Sequence, residues 1–241
     1  MSDSRLRALR RRPLLQRPRS AVRIVAVAVA LFVALPYVIA PLYWLVDPVS
    51  TLMLSRWLTG QRVDRSVVPL ERMGAKLPVM AIVAEDGRFC SHWGADLQQI
   101  SAVLDDAELG SELRGASTIT QQTVKNLFLW PGRSYVRKAL ELPLALWFDL
   151  ILPKRRIMEI YLNIVEWGPD GVFGAQAAAR HAFGKHAAAL TAREAALLVA
   201  SLPNPITRNP RQPGPGLNRL ASLYQSRAAQ AGGIDCIRAR R

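Results

Sequence analysis

The feature that most constrains this chain is an uncharged apolar segment near its N-terminus. Residues Ile24–Val46 read IVAVAVALFVALPYVIAPLYWLV and hold no charged side chain across 23 positions. A helix of that length would rise by about 35 Å, enough to cross a hydrocarbon core of about 30 Å with some tilt. A secretory signal peptide is the alternative, but the apolar run is too long and no small-residue cleavage site ends it. The segment therefore predicts a retained transmembrane helix over residues 24–46.

The charge that precedes this segment predicts its orientation. Residues 1–23 carry eight arginines against one acid, Asp3, which accounts for half of the formal net charge of +14. Because basic flanks stay on the cytoplasmic side, we expect residues 1–23 to be a cytoplasmic basic tail and everything after Asp47 to lie outside the membrane. Anionic lipid is a better partner for this tail than nucleic acid, which is the alternative for a basic stretch.

The rest of the chain has the pattern of one mainly α-helical domain. Residues 47–76 have the mixed composition of a connector, with one short amphipathic piece around Leu52–Leu58. From Pro78 onward the apolar spacing is helical, Gly or Pro residues mark the breaks, and no convincing alternating strand is found. The predicted helices are 78–86, 96–107, 117–128, 134–151, 154–165, 172–182, 191–201 and 216–230.

The first candidate site lies where a buried helix should end. The sequence AEDGRFCSHWG directly follows the apolar run PVMAIV. On a continuous helix Glu85, Phe89 and His92 would share one face, although Gly87 could break the helix first. Glu85 and Asp86 could also be solvated residues at a helix end. A functional carboxylate is favoured if its surroundings are apolar, because desolvation raises its pKa toward that of a useful general base.

A polar stripe on the predicted helix 117–128 is the second candidate. Its members fall within an arc of about 140° on a helical projection, and apolar residues occupy the other side. They are Thr118, Gln121, Gln122, Lys125 and Asn126, with Ser117 or Thr118 as the helix cap. An ordinary solvated face would carry Glu, Lys and Arg, whereas neutral amides with one lysine suit hydrogen bonding to a sugar or a phosphate. A solvated face remains the alternative.

A charged group at the start of the predicted helix 134–151 is the third candidate. Arg137, Lys138 and Glu141 have the spacing of surface ion pairs, which stabilise a helix by only about 0.2–0.5 kcal/mol each. The adjoining run LPLALWFDLIL is almost wholly apolar, so this helix should be deeply buried. We therefore expect the charged group to lie at the edge of a pocket.

The segment KRRIMEIYLNIVEWG is interpreted mostly as scaffold. Ile157, Ile160, Tyr161 and Ile164 form a stripe with helical spacing. Such a stripe is typical of a helix face that packs into a core.

Several other chemistries lack their sequence signatures. We find no P-loop, dinucleotide fingerprint or nucleophile elbow. The histidines at 92, 181 and 186 are too few and too scattered for a zinc site. Cys90 and Cys236 could pair in an oxidising compartment, but two distant cysteines form no disulfide framework, so free thiols are expected.

Taken together, the motifs resemble glycosyltransferase family 51, the peptidoglycan glycosyltransferases found in class A penicillin-binding proteins. The motif E-D-x-x-F-x-x-H-x-G begins at Glu85, and G-x-S-T-I-x-Q-Q-x-x-K-N begins at Gly115. R-K-x-x-E follows from Arg137 and K-x-x-I-x-E-x-Y-L-N from Lys154. The similarity covers about residues 75–210, and four long motifs in this order are highly specific.

The resemblance implies a lysozyme-like α-helical fold with one N-terminal transmembrane helix. The glycosyltransferase domain would span residues 77–210, and residues 211–241 would be a C-terminal extension of the same domain. The chain ends without room for a transpeptidase domain, so a monofunctional enzyme is expected. Its place would be the inner membrane as a single-pass protein, with the catalytic domain in the periplasm. Residues 97–114 correspond to the family's mobile, membrane-proximal jaw.

The implied reaction polymerises lipid II into β-1,4-linked glycan strands and releases undecaprenyl pyrophosphate. By its position in the family motif, Glu85 would be the general base on the acceptor GlcNAc 4-hydroxyl. Glu141 would be a second essential carboxylate on the same ground. Lys125 and Arg133 should contact the pyrophosphate. The other residues implied at the substrate are Asp86, Phe89, His92, Ser117, Thr118, Gln121, Gln122, Asn126, Arg137 and Lys138.

The resemblance also implies partners, but no certain cofactor. Lipid II, the growing glycan strand and anionic membrane lipid are the expected partners, and division or elongation proteins are further candidates. A Mg²⁺ or Mn²⁺ ion could accompany the pyrophosphate, although no residue set in the sequence specifies its ligands. Nucleic acid is not expected.

Two other functions are compatible with parts of the pattern. Two carboxylates in a lysozyme-like fold also suit a glycan hydrolase. A hydrolase has no pyrophosphate to stabilise, so the cations around Lys125 argue against it. A catalytically silent, membrane-anchored scaffold of the cell-wall machinery is the other alternative.

Overall fold

The structure divides into two units, the first of which ends at Ile39. The computed structural model describes residues 17–99, 101, 117–132, 134–232 and 234–238. The first unit contains helix α1 (Arg17–Ile39), whose side chains from residue 24 onward are apolar and mostly exposed. The stretch Ala21–Trp44 is long and apolar enough to cross a membrane. The predicted membrane helix at 24–46 therefore coincides with a candidate membrane span.

The second unit begins at Ala40 and is mainly helical. Its helices among the described residues are α2 (Thr51–Leu58), α3 (Lys76–Glu85), α4 (Ile119–Phe128), α5 (Tyr135–Ile151), α6 (Lys154–Ile164), α7 (Ala175–Phe183), α8 (Ala192–Ser201) and α9 (Pro215–Gln230). Residues 97–99 and 101 are also helical, Asp96 is not, and positions 100 and 102–107 of the predicted helix 96–107 lie outside the described residues. The other helix predictions are confirmed to within three residues at each end.

A small three-stranded sheet accompanies the helices. It consists of β1 (Asp64–Arg65), β2 (Glu166–Gly168) and β3 (Val172–Phe173), in the order β1-β3-β2. β1 runs parallel to β3, and β2 runs antiparallel to it. β2 and β3 lie after Pro78, where the sequence shows no convincing alternating strand, and the helix predicted from residue 172 begins at Ala175. Strands of two or three residues are too short to show an alternating pattern, so tertiary pairing decides their conformation.

Packing between helices brings the sequence motifs together. α3 packs against α8 and α9, and α4 packs against α5 and α6. Along α3 the side chains of Leu77, Met80, Ala81 and Ile82 are buried, so this helix is held on several sides. Because α3 ends at Glu85, the buried helix delivers its last carboxylate to the region between these two groups of helices.

A disulfide joins the first motif to the C-terminal end of the chain. Cys90 and Cys236 are bonded, with their Cα atoms 5.6 Å apart and a sequence separation of 146 residues. The expectation of free thiols is therefore wrong. The sequence separation gave no hint of proximity, because the return of the chain to Cys90 depends on α9 packing against α3 and α8.

We predict that loss of this disulfide destabilises the second unit. A crosslink over so long a loop restricts the unfolded chain strongly, and removal of a native disulfide typically costs about 2–4 kcal/mol. Urea unfolding of the detergent-solubilised protein, followed by tryptophan fluorescence, should show a lower midpoint for Cys236→Ser than for wild type. Reductant should lower the wild-type midpoint and leave the variant unchanged. Equal midpoints for oxidised wild type and variant would contradict a stabilising crosslink.

Candidate active site

Glu85 is the last residue of α3, and its carboxylate is half-buried. Its Oε2 accepts a hydrogen bond of 2.9 Å from Nε2 of Gln122 on α4. Burial raises the pKa of Glu85, and the hydrogen bond from Gln122 and the charge of Lys125 oppose this shift without cancelling it. The carboxyl group is therefore a better proton acceptor than an exposed glutamate would be.

Asp86 holds the end of α3 against the start of α4. Its buried carboxylate accepts a hydrogen bond of 2.9 Å from the backbone N–H of Ile119. Nε2 of His92 lies 2.9 and 3.0 Å from the two carboxylate oxygens. Phe89 is fully buried, and its ring lies 4.6 Å from Nζ of Lys154. The helix ends at residue 85, so the shared helical face of Glu85, Phe89 and His92 is not formed.

Two members of the predicted polar stripe hold the start of α4. Thr118 Oγ1 accepts a hydrogen bond of 3.1 Å from the backbone N–H of Gln121, and Gln121 Oε1 accepts one of 3.0 Å from the backbone N–H of Thr118. Thr118 also donates to the backbone oxygen of Gly94. Both side chains are buried, so they act on the helix terminus and do not open into a cleft.

The other stripe residues border two cavities. Gln122 and Lys125 line a cleft of about 440 Å³. Together with Asn126 they also line a smaller cavity of about 160 Å³. The stripe therefore divides by depth: its first residues form the helix cap, and its later residues face open space.

The charged group on α5 forms the opposite wall of the larger cleft. Glu141 is buried and accepts hydrogen bonds from Nη1 of Arg137 and, at 3.3 Å, from Nζ of Lys138. Lys138 Nζ also donates to Oγ of Ser117 at 2.8 Å. The expected position of this group at a pocket edge is confirmed.

Lys125 lies between the two carboxylates of the site. Burial lowers its pKa, and the negative charges of Glu141 and Glu85 act in the opposite direction. Arg137 and Lys138 add further positive charge at the same cleft. The cleft is therefore suited to binding an anion, because its cations are partly desolvated and interact strongly with negative charge. Arg133, predicted beside them, lies outside the described residues.

A third cavity, of about 450 Å³, is bordered by Glu85 itself. The end of α3 forms one wall, and Arg227 and Ile234 from the C-terminal end of the chain form another. Gln99 also contributes to the lining. Glu85 borders this cavity directly and reaches the cation-lined cleft through its hydrogen bond to Gln122.

The sequence interpretation missed three residues near Glu85. Tyr161 was assigned to the core, yet its hydroxyl donates to Oε1 of Gln122 at 3.3 Å. Arg208, whose Nη1 donates to the backbone oxygen of Ala200 at 2.7 Å, bears electrostatically on Glu85, and so does the buried Tyr224. A buried tyrosine usually needs a partner for its hydroxyl, which was the available signal for Tyr161. Arg208 follows a proline-rich turn and carries no such signal.

No dedicated metal site is evident in the part of the chain that the structure describes. Three or more His, Cys, Asp or Glu side chains do not come together there in a way that could hold a metal ion. The acidic residues of the site are engaged by cations, amides or backbone N–H groups.

Comparison with known proteins identifies the family. Residues 52–228 match the model of the transglycosylase family. A biosynthetic peptidoglycan transglycosylase of Nitrobacter hamburgensis is 54% identical over 220 residues, which cover 91% of this chain and 97% of the relative. Proteins of the same description from Rhodopseudomonas palustris strain TIE-1 and Agrobacterium fabrum are 54% and 51% identical, over 93% and 90% of this chain and 95% and 96% of the relatives.

These matches confirm the resemblance inferred from the four motifs. They also confirm the predicted mainly α, lysozyme-like fold class. The matched region includes α2 through most of α9 and so contains every described residue of the candidate site. The chain therefore belongs to the transglycosylase family.

Proposed function

We propose that this chain is a peptidoglycan transglycosylase that polymerises lipid II into β-1,4-linked glycan strands and releases undecaprenyl pyrophosphate. The observation that carries the proposal is the position of Glu85, a half-buried carboxylate that is hydrogen-bonded to Gln122, and Gln122 in turn lines the cation-lined cleft. The names of the relatives agree with this substrate class.

In the proposed reaction, Glu85 takes the proton of the acceptor GlcNAc 4-hydroxyl as that oxygen attacks C1 of the donor MurNAc. The new C1–O bond forms on the face opposite to the leaving group, so the anomeric configuration inverts. The bond from C1 to the pyrophosphate oxygen breaks, and its electron pair leaves with undecaprenyl pyrophosphate. One base and a stabilised leaving group are sufficient for this displacement.

The cation-lined cleft is proposed to hold the pyrophosphate of the donor. In this proposal Lys125 and Arg133 contact the pyrophosphate of the leaving group, and Arg137 and Lys138 add positive charge nearby. Glu141 orients these cations, which its ion pairs with Arg137 and Lys138 support. Lys125, Arg137 and Lys138 line this cleft, so we assign the leaving-group charge to these side-chain cations. A Mg²⁺ or Mn²⁺ ion on the pyrophosphate stays a prediction.

The third cavity, which Glu85 borders, is proposed to take the acceptor sugar. On the side of the donor, Gln122, Asn126 and Ser117 are the polar side chains that would contact substrate, since they line the cation-lined cleft or the smaller cavity. The buried residues Asp86, Phe89, His92, Thr118 and Gln121 would shape the sugar sites indirectly, by holding α3 and α4 in place.

The proposed location is the inner membrane, with residues 1–23 in the cytoplasm and the catalytic unit in the periplasm. The candidate span Ala21–Trp44 and the arginine-rich tail support this topology. The Cys90–Cys236 disulfide supports it independently, because disulfides persist in oxidising compartments such as the periplasm. An enzyme anchored in this way shares a membrane with its lipid-linked substrate, and division or elongation proteins are proposed as partners.

Glu85→Gln should reduce polymerisation by orders of magnitude while the fold is retained. The amide has the size of the carboxyl group but cannot accept the hydroxyl proton, so turnover of fluorescent lipid II should fall by about 10²–10⁴. Glu71→Gln is the matched control, since Glu71 is a largely exposed carboxylate paired with Arg155. Unchanged polymerisation by a folded Glu85→Gln protein would refute the assignment of the base.

Lys125→Met should reduce turnover far more than stability. The substitution keeps most of the unbranched side chain and removes the charge, so the loss should be about 10²–10³ in kcat if Lys125 stabilises the leaving group. The thermal midpoint should stay close to that of wild type, because burial already disfavours the charged lysine. Lys185→Met, at a part-buried ion pair with Glu194 outside the cleft, is the control. A large drop in the midpoint with little change in kcat would favour a structural role.

The activity should fall on the acid side with a midpoint above pH 4.5. The base must be ionised to accept a proton, and burial raises the pKa of Glu85 above the ordinary value of 4.5. Activity is therefore present above that raised pKa and is lost as the pH falls through it. The kcat/KM profile for lipid II, with circular dichroism to verify folding at each pH, checks this. Full activity down to pH 4.5 would contradict it.

A further inference from the structure

The amide of Gln122 has two different ends, and each meets a different partner. Nε2 lies 2.9 Å from Oε2 of Glu85, and Oε1 lies 3.3 Å from the hydroxyl of Tyr161. The two ends of a glutamine amide have nearly the same shape, so their partners decide which end faces which way. The hydrogen bonds to Glu85 and Tyr161 therefore determine together how the amide of Gln122 is oriented.

Tyr161 supplies a donor from a fully buried position. Its ring lies in the core stripe of α6, and its exposed fraction is 0%. Burial and the nearby negative charges of Glu85 and Asp86 raise the pKa of Tyr161 well above its ordinary value, so the hydroxyl keeps its proton at neutral pH. If the amide were reversed, this hydroxyl proton would lose its acceptor, and Oε1 would face the ionised carboxylate of Glu85. Both changes are unfavourable in a buried site.

The orientation of Gln122 bears on the protonation of Glu85. With Nε2 toward Glu85, the amide donates to the ionised carboxylate and opposes the effect of burial on its pKa. With Oε1 toward Glu85, the amide could accept only from the protonated acid. Among the described residues, the other charged or titratable groups that face Glu85 are Asp86 directly after α3, Lys125 from α4, Arg208 after α8, and Tyr224 and Arg227 from α9. None of them is removed by a substitution at Tyr161.

We propose that Tyr161 is a positioning residue for the reaction, because its hydroxyl fixes the amide of Gln122 with Nε2 toward Glu85. This inference rests on the proposed function of Glu85 as the base. It moves Tyr161 from the scaffold into a chain of hydrogen bonds that runs from α6 through α4 to the end of α3.

Tyr161→Phe tests the proposal because it removes the hydroxyl and keeps the buried ring. The acid limb of kcat/KM for fluorescent lipid II should move to higher pH, so that the loss of activity is largest at low pH. Loss of one uncharged hydrogen bond corresponds to a change of about two- to tenfold on that limb. Tyr224→Phe is the matched control, since it removes the hydroxyl of another tyrosine near Glu85 without touching the bond to Gln122.

A double-mutant cycle separates a relay through Gln122 from a general packing effect. Gln122→Leu alone should move the acid limb in the same direction, and Tyr161→Phe in that background should add no further shift. A uniform loss of activity at every pH in Tyr161→Phe, or additive shifts in the double variant, would overturn the proposal. If Tyr161→Phe does not fold, an unmoved acid limb in Gln122→Leu overturns it instead.

Failure of this inference can be told apart from failure of the proposed function. Retained activity in Glu85→Gln would refute both the assignment of Glu85 as the base and the positioning role of Tyr161. Loss of activity in Glu85→Gln with an unmoved acid limb in Tyr161→Phe would reject the role of Tyr161 and leave the base in place.

Discussion

The carboxylate of Asp86 is the contact on which the rest of the site depends. It is buried, it accepts from the backbone N–H of Ile119 at the start of α4, and it is bonded to His92. An anionic side chain at a helix N-terminus is favoured by the unpaired N–H groups there. Because Asp86 directly follows Glu85, this contact sets the distance between Glu85 and Gln122. Asp86 thus fixes the end of α3 against α4, which leaves the neighbouring carboxylate of Glu85 available for the proposed proton transfer.

Burial and neighbouring charges have opposite effects on the pKa values of the site. Burial is the largest influence on both Glu85 and Lys125, and in each case it outweighs the opposite charges nearby. The pKa of Glu85 is raised and that of Lys125 is lowered. The charged form of each side chain is therefore less stable in the site than it would be in water. Such groups cost folding stability and are typical of sites arranged for proton transfer and anion binding.

The sequence predicted this site unevenly, for physical reasons. The buried helix that ends in Glu85 was clear from its apolar run, since helical periodicity is a local property. Thr118 and Gln121 were assigned to sugar binding, although the same residue types at that spacing form a capping box, and only the fold decides between the two. Tyr161 looked like core because its ring is core, and only the tertiary structure reveals the partner of its hydroxyl. The pairing of the cysteines likewise depends on helix packing.

The central claim is that a base at the end of α3 and a cation-lined cleft build glycan strands from a lipid-linked pyrophosphate donor. The most direct test incubates the purified, detergent-solubilised protein with labelled lipid II and, separately, with labelled mature peptidoglycan. We predict polymer with β-1,4 linkages and released undecaprenyl pyrophosphate from the first substrate, and no cleavage of the second. Soluble fragments from mature peptidoglycan, with no polymer from lipid II, would contradict the account.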